Sequence, residues 1–123
     1  MDAPSTPSSN VAALDSAAHK LSQLDGARLN RAAAALRLTA LNAASRHCGG
    51  ITKLAAAIDV GQSVASNWKK RRTVIDALYC TAIEELPACP VRRWHLRPLD
   101  WHRIWPEIRT SPDAPPLPKK ARA

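Results

Sequence analysis

The stretch Gly50–Lys70, GITKLAAAIDVGQSVASNWKK, constrains the fold more than any other part of the chain. Leu54 and Ile58 are four residues apart and share one face of a helix; Ala65 and Trp68 are three apart and share one face of a second. Only Asp59-Val60-Gly61 lies between them, so the spacing predicts two short helices joined by a tight turn. Val60 is placed to plug the angle between the helices, and Ala55 is small where they must approach. Asp59 falls where a helix ends in a left-handed residue, a conformation Asp tolerates better than most residues carrying a Cβ.

The apolar spacing alone is weak evidence. Apolar residues make up 46% of the chain, so five given positions are all apolar about 2% of the time by chance, which over roughly a hundred registers gives one or two accidental matches. The polar residues add the specificity. The outward face of the second helix is Gln62, Ser63, Ser66, Asn67 and Lys70, which offers donors and acceptors to base edges and no carboxylate to repel phosphate. Lys69, Lys70, Arg71 and Arg72 follow where such a helix leaves a groove and meets the backbone. This is the layout of a DNA-reading helix-turn-helix, whose second helix enters the major groove. Gln62 is the sharpest reader, since Gln pairs bidentately with adenine, and Gly61 lets a backbone approach closely. The candidate DNA-binding set is Gly61, Gln62, Ser63, Ser66, Asn67, Lys69, Lys70, Arg71 and Arg72, with Thr52 and Lys53 from the first motif helix. Trp68 belongs to the core by its place on the inward face.

The segment resembles the helix-turn-helix of phage Cro proteins, and more closely the small prophage family that groups Cro-like regulators with YdaS-type antitoxins. The likeness runs over roughly residues 36 to 108. Ala82-Ile83-Glu84 is similar to the family's "aIE" helix, Leu96-Arg97-Pro98 to its "LRP" signature, and Asp100-Trp101 with Ile104-Trp105-Pro106-Glu107 to its "DW…IWPE" ending. Three departures stand out. Ile51 replaces a common Gln, which removes one phosphate contact; Val74-Ile75 replaces Val-Pro; and Leu86-Pro87-Ala88 replaces Thr-Gly-Gly, which should change local geometry more than function. The resemblance implies an all-α, Cro- and lambda-repressor-like bundle of about five helices with disordered termini. It also implies a homodimer on operator DNA with half-sites about one helical turn apart, repression by promoter occlusion, and a prophage or mobile-element context. An alternative is an antitoxin or partner-binding protein that neutralises a toxin or host protein through its Trp-rich C-terminal segment. A third reading is a phage accessory protein that targets a host enzyme and has kept only the fold.

Composition agrees with a nucleic-acid partner. The 123 residues carry a net charge of +8 and a pI near 10.1, which favours an anionic partner. Residues 46 to 103 hold ten Lys and Arg against five acids, so +5 falls within the proposed domain. With no Phe, the core must be Leu, Ile, Val, Ala and Trp. No export or membrane segment is read, so the expected location is cytoplasmic and nucleoid-associated, with the three cysteines reduced. His47, Cys48, Cys80, Cys89, His95 and His102 form no zinc spacing. No glycine-rich phosphate loop or close carboxylate pair on a cleft is present; Glu84-Glu85 read as surface residues. Neither a cofactor nor a metal nor an enzymatic activity is expected.

Along the chain, residues 1–25 read as a disordered or weakly helical extension, with a weak helix over Val11–Leu24 capped by Asn10. Residues 26–108 are the DNA-binding domain and 109–123 a disordered basic tail. Arg28–His47 is a strong helix stopped by Gly49-Gly50 and expected to pack across the back of the motif. Residues 76–86 form another, with Asp76 as cap. Val91–Leu96 reads as a short strand or extended segment, and Asp100–Trp105 as at most one helical turn. Trp94, Trp101 and Trp105 are assigned to packing against the helical body, or else to a dimer or partner surface. The interleaved Arg92, Arg93, Arg97 and Arg103 suit a backbone-contacting wing or a solvated rim.

Overall fold

The computed structural model describes residues 7–71 and 74–118, and within them the chain is helical with no strand. Seven α-helices follow in order: α1 Pro7–Lys20, α2 Gly26–Cys48, α3 Ile51–Ala57, α4 Gln62–Lys70, α5 Ala77–Glu84, α6 Arg93–Leu96 and α7 Trp101–Ile104. Two 3-10 turns, Leu21–Gln23 and Pro106–Ile108, complete the set. The all-α class holds. The expected five helices become seven because Val91–Leu96 is not a strand: Arg93–Leu96 closes a helical turn, and α7 is another.

Helix α2 is the spine and touches α1, α3 and α6. Its alanine-rich sequence favours helix; of the residues that repeat at helical spacing, Leu29, Ala33, Leu36, Ala40, Ala43 and Ala44 are buried and Ala32 is half-buried. Gly49 ends it at φ +96°, with its N–H on Arg46 O and that of Gly50 on Ser45 O. This is a Schellman closure, which needs a left-handed residue and so favours glycine.

Helix α1 begins at Pro7, so Asn10 lies inside it rather than ahead of its first turn. Leu14, Ala18 and Leu21 are buried, and Asp15 Oδ1 accepts a hydrogen bond from His95 Nε2 at 2.8 Å. The extension, read as disordered or weakly helical, is helical here and reaches the core at Leu14, Ala18 and Leu21. At the other end, Pro115 and Pro118 are buried, and Ala114 and Leu117 pack on the core. Proline suits such a segment because it brings an apolar ring and no N–H to satisfy. Lys119, Lys120 and Arg122 lie outside the described residues.

All four tryptophans are core. Trp94 and Trp101 meet edge to face at 5.8 Å, and Trp101 packs on His102 at 5.7 Å. Trp105 is 9% exposed. No exposed Trp remains to form a partner surface.

Candidate nucleic-acid interface

The motif forms because α3 is closed by a second Schellman turn. Val60 N–H bonds to Ala55 O at 3.0 Å and Asp59 N–H to Ala56 O at 3.3 Å, and Asp59 takes the left-handed conformation at φ 57°. Val60 packs half-buried on the core. The Gly61 carbonyl then accepts the first bond of α4, from Ala65 N–H. Leu54, Ala55, Ile58, Ala65 and Trp68 are all buried, and Trp68 meets Tyr79 at 5.6 Å. These contacts fix α4 against α3 and turn its other face outward.

That face is the site. Gln62, Ser63, Ser66, Asn67 and Lys70 line one shallow open depression. Gln62 and Ser63 are exposed, Ser66 and Asn67 half-buried. No acidic residue lies on α4. Lys69, Lys70 and Arg71 are exposed where α4 ends; Arg72 falls outside the described residues. A cation at a helix C-terminus is also favoured by the helix dipole, so these charges fit both the helix and an anion beyond it.

Gly61 has φ −62°, which any residue adopts. A Cβ built on it would meet only Val64 Cγ2 at 3.9 Å, an ordinary contact. Nothing within the described fold requires glycine there. Thr52 and Lys53 are exposed on α3 but do not line the depression. The Lys53 stem lies over Gly49, where an added Cβ would come within 3.1 Å of its Cδ. Sequence reasoning missed Val64, which is 43% exposed on α4 and sets an apolar group beside the polar face. Val64 stands four residues before the inward Trp68, so spacing alone gives no sign of its exposure.

The C-terminal arginines are differently placed. Glu84 takes the Arg93 backbone N–H at 3.0 Å, and its other oxygen lies 3.1 Å from Arg93 Nε. That side-chain approach is an ion pair without hydrogen-bond alignment, since the Arg93 Nε–H meets no acceptor. Glu84 is thus an anchor rather than a surface residue. The Arg93 guanidinium also lies over the Trp105 ring at 5.3 Å. Arg97 grips Asp100 with two bonds, at 3.1 and 2.7 Å, and donates to Ile75 O at 2.7 Å. Asp76 and Asp100 stand before α5 and α7, but neither makes a cap bond with its side chain. Arg92 and Arg103 remain exposed.

Two buried thiols and the half-buried Cys48 complete the picture. Burial pushes the Cys80 thiol up to about 12, and it donates to Ile75 O at 3.6 Å. Burial also raises Cys48 and Cys89. All three are free; as protonated thiols they are poor nucleophiles and poor metal ligands. Among the described residues no three His, Cys, Asp or Glu side chains gather to hold a metal ion, and no helix is long and apolar enough to cross a membrane.

Two short helices at a tight turn, with a polar outward face on the second, define a helix-turn-helix domain. A family model described as "Bacterial toxin YdaS" matches residues 41–104. The chain belongs to that family, a small phage-type helix-turn-helix family. The matched span runs from the last turns of α2 to the end of α7. No curated protein and no solved structure matches the chain. The family's description speaks of a toxin, where the resemblance read from the sequence pointed to antitoxins.

Proposed function

We propose that the chain is a sequence-specific DNA-binding transcriptional regulator of prophage or mobile-element type, a Cro-like repressor that binds operator DNA as a homodimer. The observation that carries this reading is the single depression formed by Gln62, Ser63, Ser66, Asn67 and Lys70 on α4. It is free of carboxylates and bordered by the exposed cations Lys69, Lys70 and Arg71. Helix α4 enters the major groove, its polar face reads bases, and the cations hold the backbone. Gly61, which has no side chain, is assigned the close backbone approach. Footprinting on DNA upstream of the protein's own gene tests it. Protection of a palindromic site at moderate salt is expected, and its absence overturns the repressor.

A second reading is favoured by the family's description: a toxin whose production harms the host cell. Inducing the chain in a host that lacks the operator separates the two. Growth arrest that survives Gln62→Ala supports the toxin; arrest abolished by that substitution ties toxicity to DNA binding.

A further inference from the structure

Two residues at the start of the second motif helix have no explanation in the fold. Val64 is 43% exposed, although a β-branched side chain loses rotamer freedom in a helix and is a poor choice for an exposed helical position. Gly61 has φ −62°, so glycine there costs conformational entropy and returns no special backbone geometry. The two residues are neighbours. A Cβ built on Gly61 would stand 3.9 Å from Val64 Cγ2, and its absence leaves that methyl group open on the side of the motif turn.

Val64 precedes Asn67 by three residues and Trp68 by four, so it lies on the flank between the polar face of α4 and the core. It stands beside the depression and does not line it. The other exposed side chains of α4, those of Gln62, Ser63, Lys69 and Lys70, are polar or charged. Val64 is therefore the apolar side chain that the helix offers to a partner. Arg71, seven residues on, falls on the same flank and is exposed. In the major groove a helix meets hydrogen-bonding groups on every base pair but a single kind of apolar group, the thymine 5-methyl.

We propose that Val64 packs on a thymine 5-methyl group of the operator and that Gly61 keeps the Val64 methyl open to it, a contact that exists only if α4 enters the major groove as proposed above. Each half-site then carries a thymine selected by its methyl group rather than by hydrogen bonds. Gly61 is a positioning residue in this contact, because it acts through Val64.

The test is selection of sites by the full chain from random-sequence duplexes, followed by replacement of each thymine of the enriched site by deoxyuridine. Deoxyuridine keeps the hydrogen-bonding edges of thymidine and lacks only the methyl group. One thymine per half-site is expected at which uracil weakens wild-type binding about fourfold, the value of one methyl group withdrawn from contact. In Val64→Ser that replacement should have no effect, while the other preferences of the site persist. Val64 is exposed, so this variant keeps its fold. Gly61→Ala adds a Cβ without backbone strain, so its urea midpoint should equal or exceed that of the wild type, and yet its uracil effect should shrink. An enriched site that tolerates uracil at every thymine, or an equal uracil effect in Val64→Ser, overturns the contact. An undiminished uracil effect in Gly61→Ala overturns the part given to Gly61. If no site is enriched, the DNA-binding reading itself fails, and the contact with it.

Discussion

Helix α4 and the segment from Cys89 to Pro118 both interleave tryptophan with cations. In α4 the tryptophan turns inward and Lys69, Lys70 and Arg71 stay exposed, with no acid on the helix. In the C-terminal segment the tryptophans also turn inward, but Arg93 faces Glu84 and Trp105, and Arg97 grips Asp100. Exposed cations act on solvent and partners, whereas cations paired at short range stabilise the fold and contribute little outward field. Composition counts both alike; only the location of the acids separates a binding face from internal bracing.

The largest effect expected from this contrast is on the bracing side. Trp101 is 1% exposed and packs on both Trp94 and His102. Trp101→Ala should cost about 3–5 kcal/mol of stability, as is usual for a fully buried large aromatic. Urea unfolding checks it, and a cost under about 1 kcal/mol would mean the aromatic cluster is not the core of this half.

Variants on the motif should change binding and leave unfolding alone. Gln62→Ala should remove roughly 1–3 kcal/mol of discrimination between operator and unrelated DNA, while weak, salt-sensitive binding persists. Replacing Lys69, Lys70 and Arg71 together by Gln should weaken binding to all sequences alike. It should also flatten the log–log salt slope by about 0.9 for each phosphate no longer neutralised. Equal loss of specificity in the two variants would show that reading and clamping are not divided between the polar face of α4 and its cationic end.

Much of the motif was legible because it rests on local rules. The four-residue spacing of Leu54 and Ile58, the inward Trp68 and the left-handed Asp59 each follow from a neighbour within a few positions. The C-terminal half was less legible because its partners are distant in sequence. His95 is completed by Asp15, eighty residues away, and Arg97 reaches Ile75 O, twenty-two residues away. No periodicity carries such a pairing. For the same reason α1 and residues 114–118 read as appendages in the sequence, since the core they cover is assembled from distant segments.

His95 gives a pH dependence with a defined sign. Its Nδ1 accepts the Arg92 N–H at 2.9 Å, so Nε2 carries the proton donated to Asp15. Burial lowers its pKa from the ordinary 6.5, against the opposing pull of Asp15. The folded state thus favours neutral histidine. Its contribution is complete above pH 6.5 and is lost as pH falls below that value toward the folded pKa. His102 is lowered too, by burial and by Arg109 and Arg103, and adds in the same direction. The urea midpoint should be flat between about pH 7 and 8 and decline on acidification. A midpoint that rises on acidification would mean that the Asp15 pair outweighs burial.

The smallest effect expected distinguishes the two regions by backbone alone. Asp59 and Ala88 are the two non-glycine residues with positive φ, both at 57°, among the described residues. Asp59 sits in the motif turn, where a short polar side chain tolerates the left-handed region. Ala88 has no such side chain, and it stands where the resemblance places the last glycine of Thr-Gly-Gly. The loop takes a left-handed conformation there without a glycine. Replacing Ala88 by Gly should therefore relieve strain and raise stability by about 1 kcal/mol, less what glycine adds to the entropy of the unfolded chain. Asp59→Gly should gain less, because Asp is strained less than Ala in this conformation. Urea midpoints of the two single variants decide the order. A larger gain at Asp59 would place the greater strain in the motif turn and make its closure, rather than the C-terminal loop, the costlier bend in the fold.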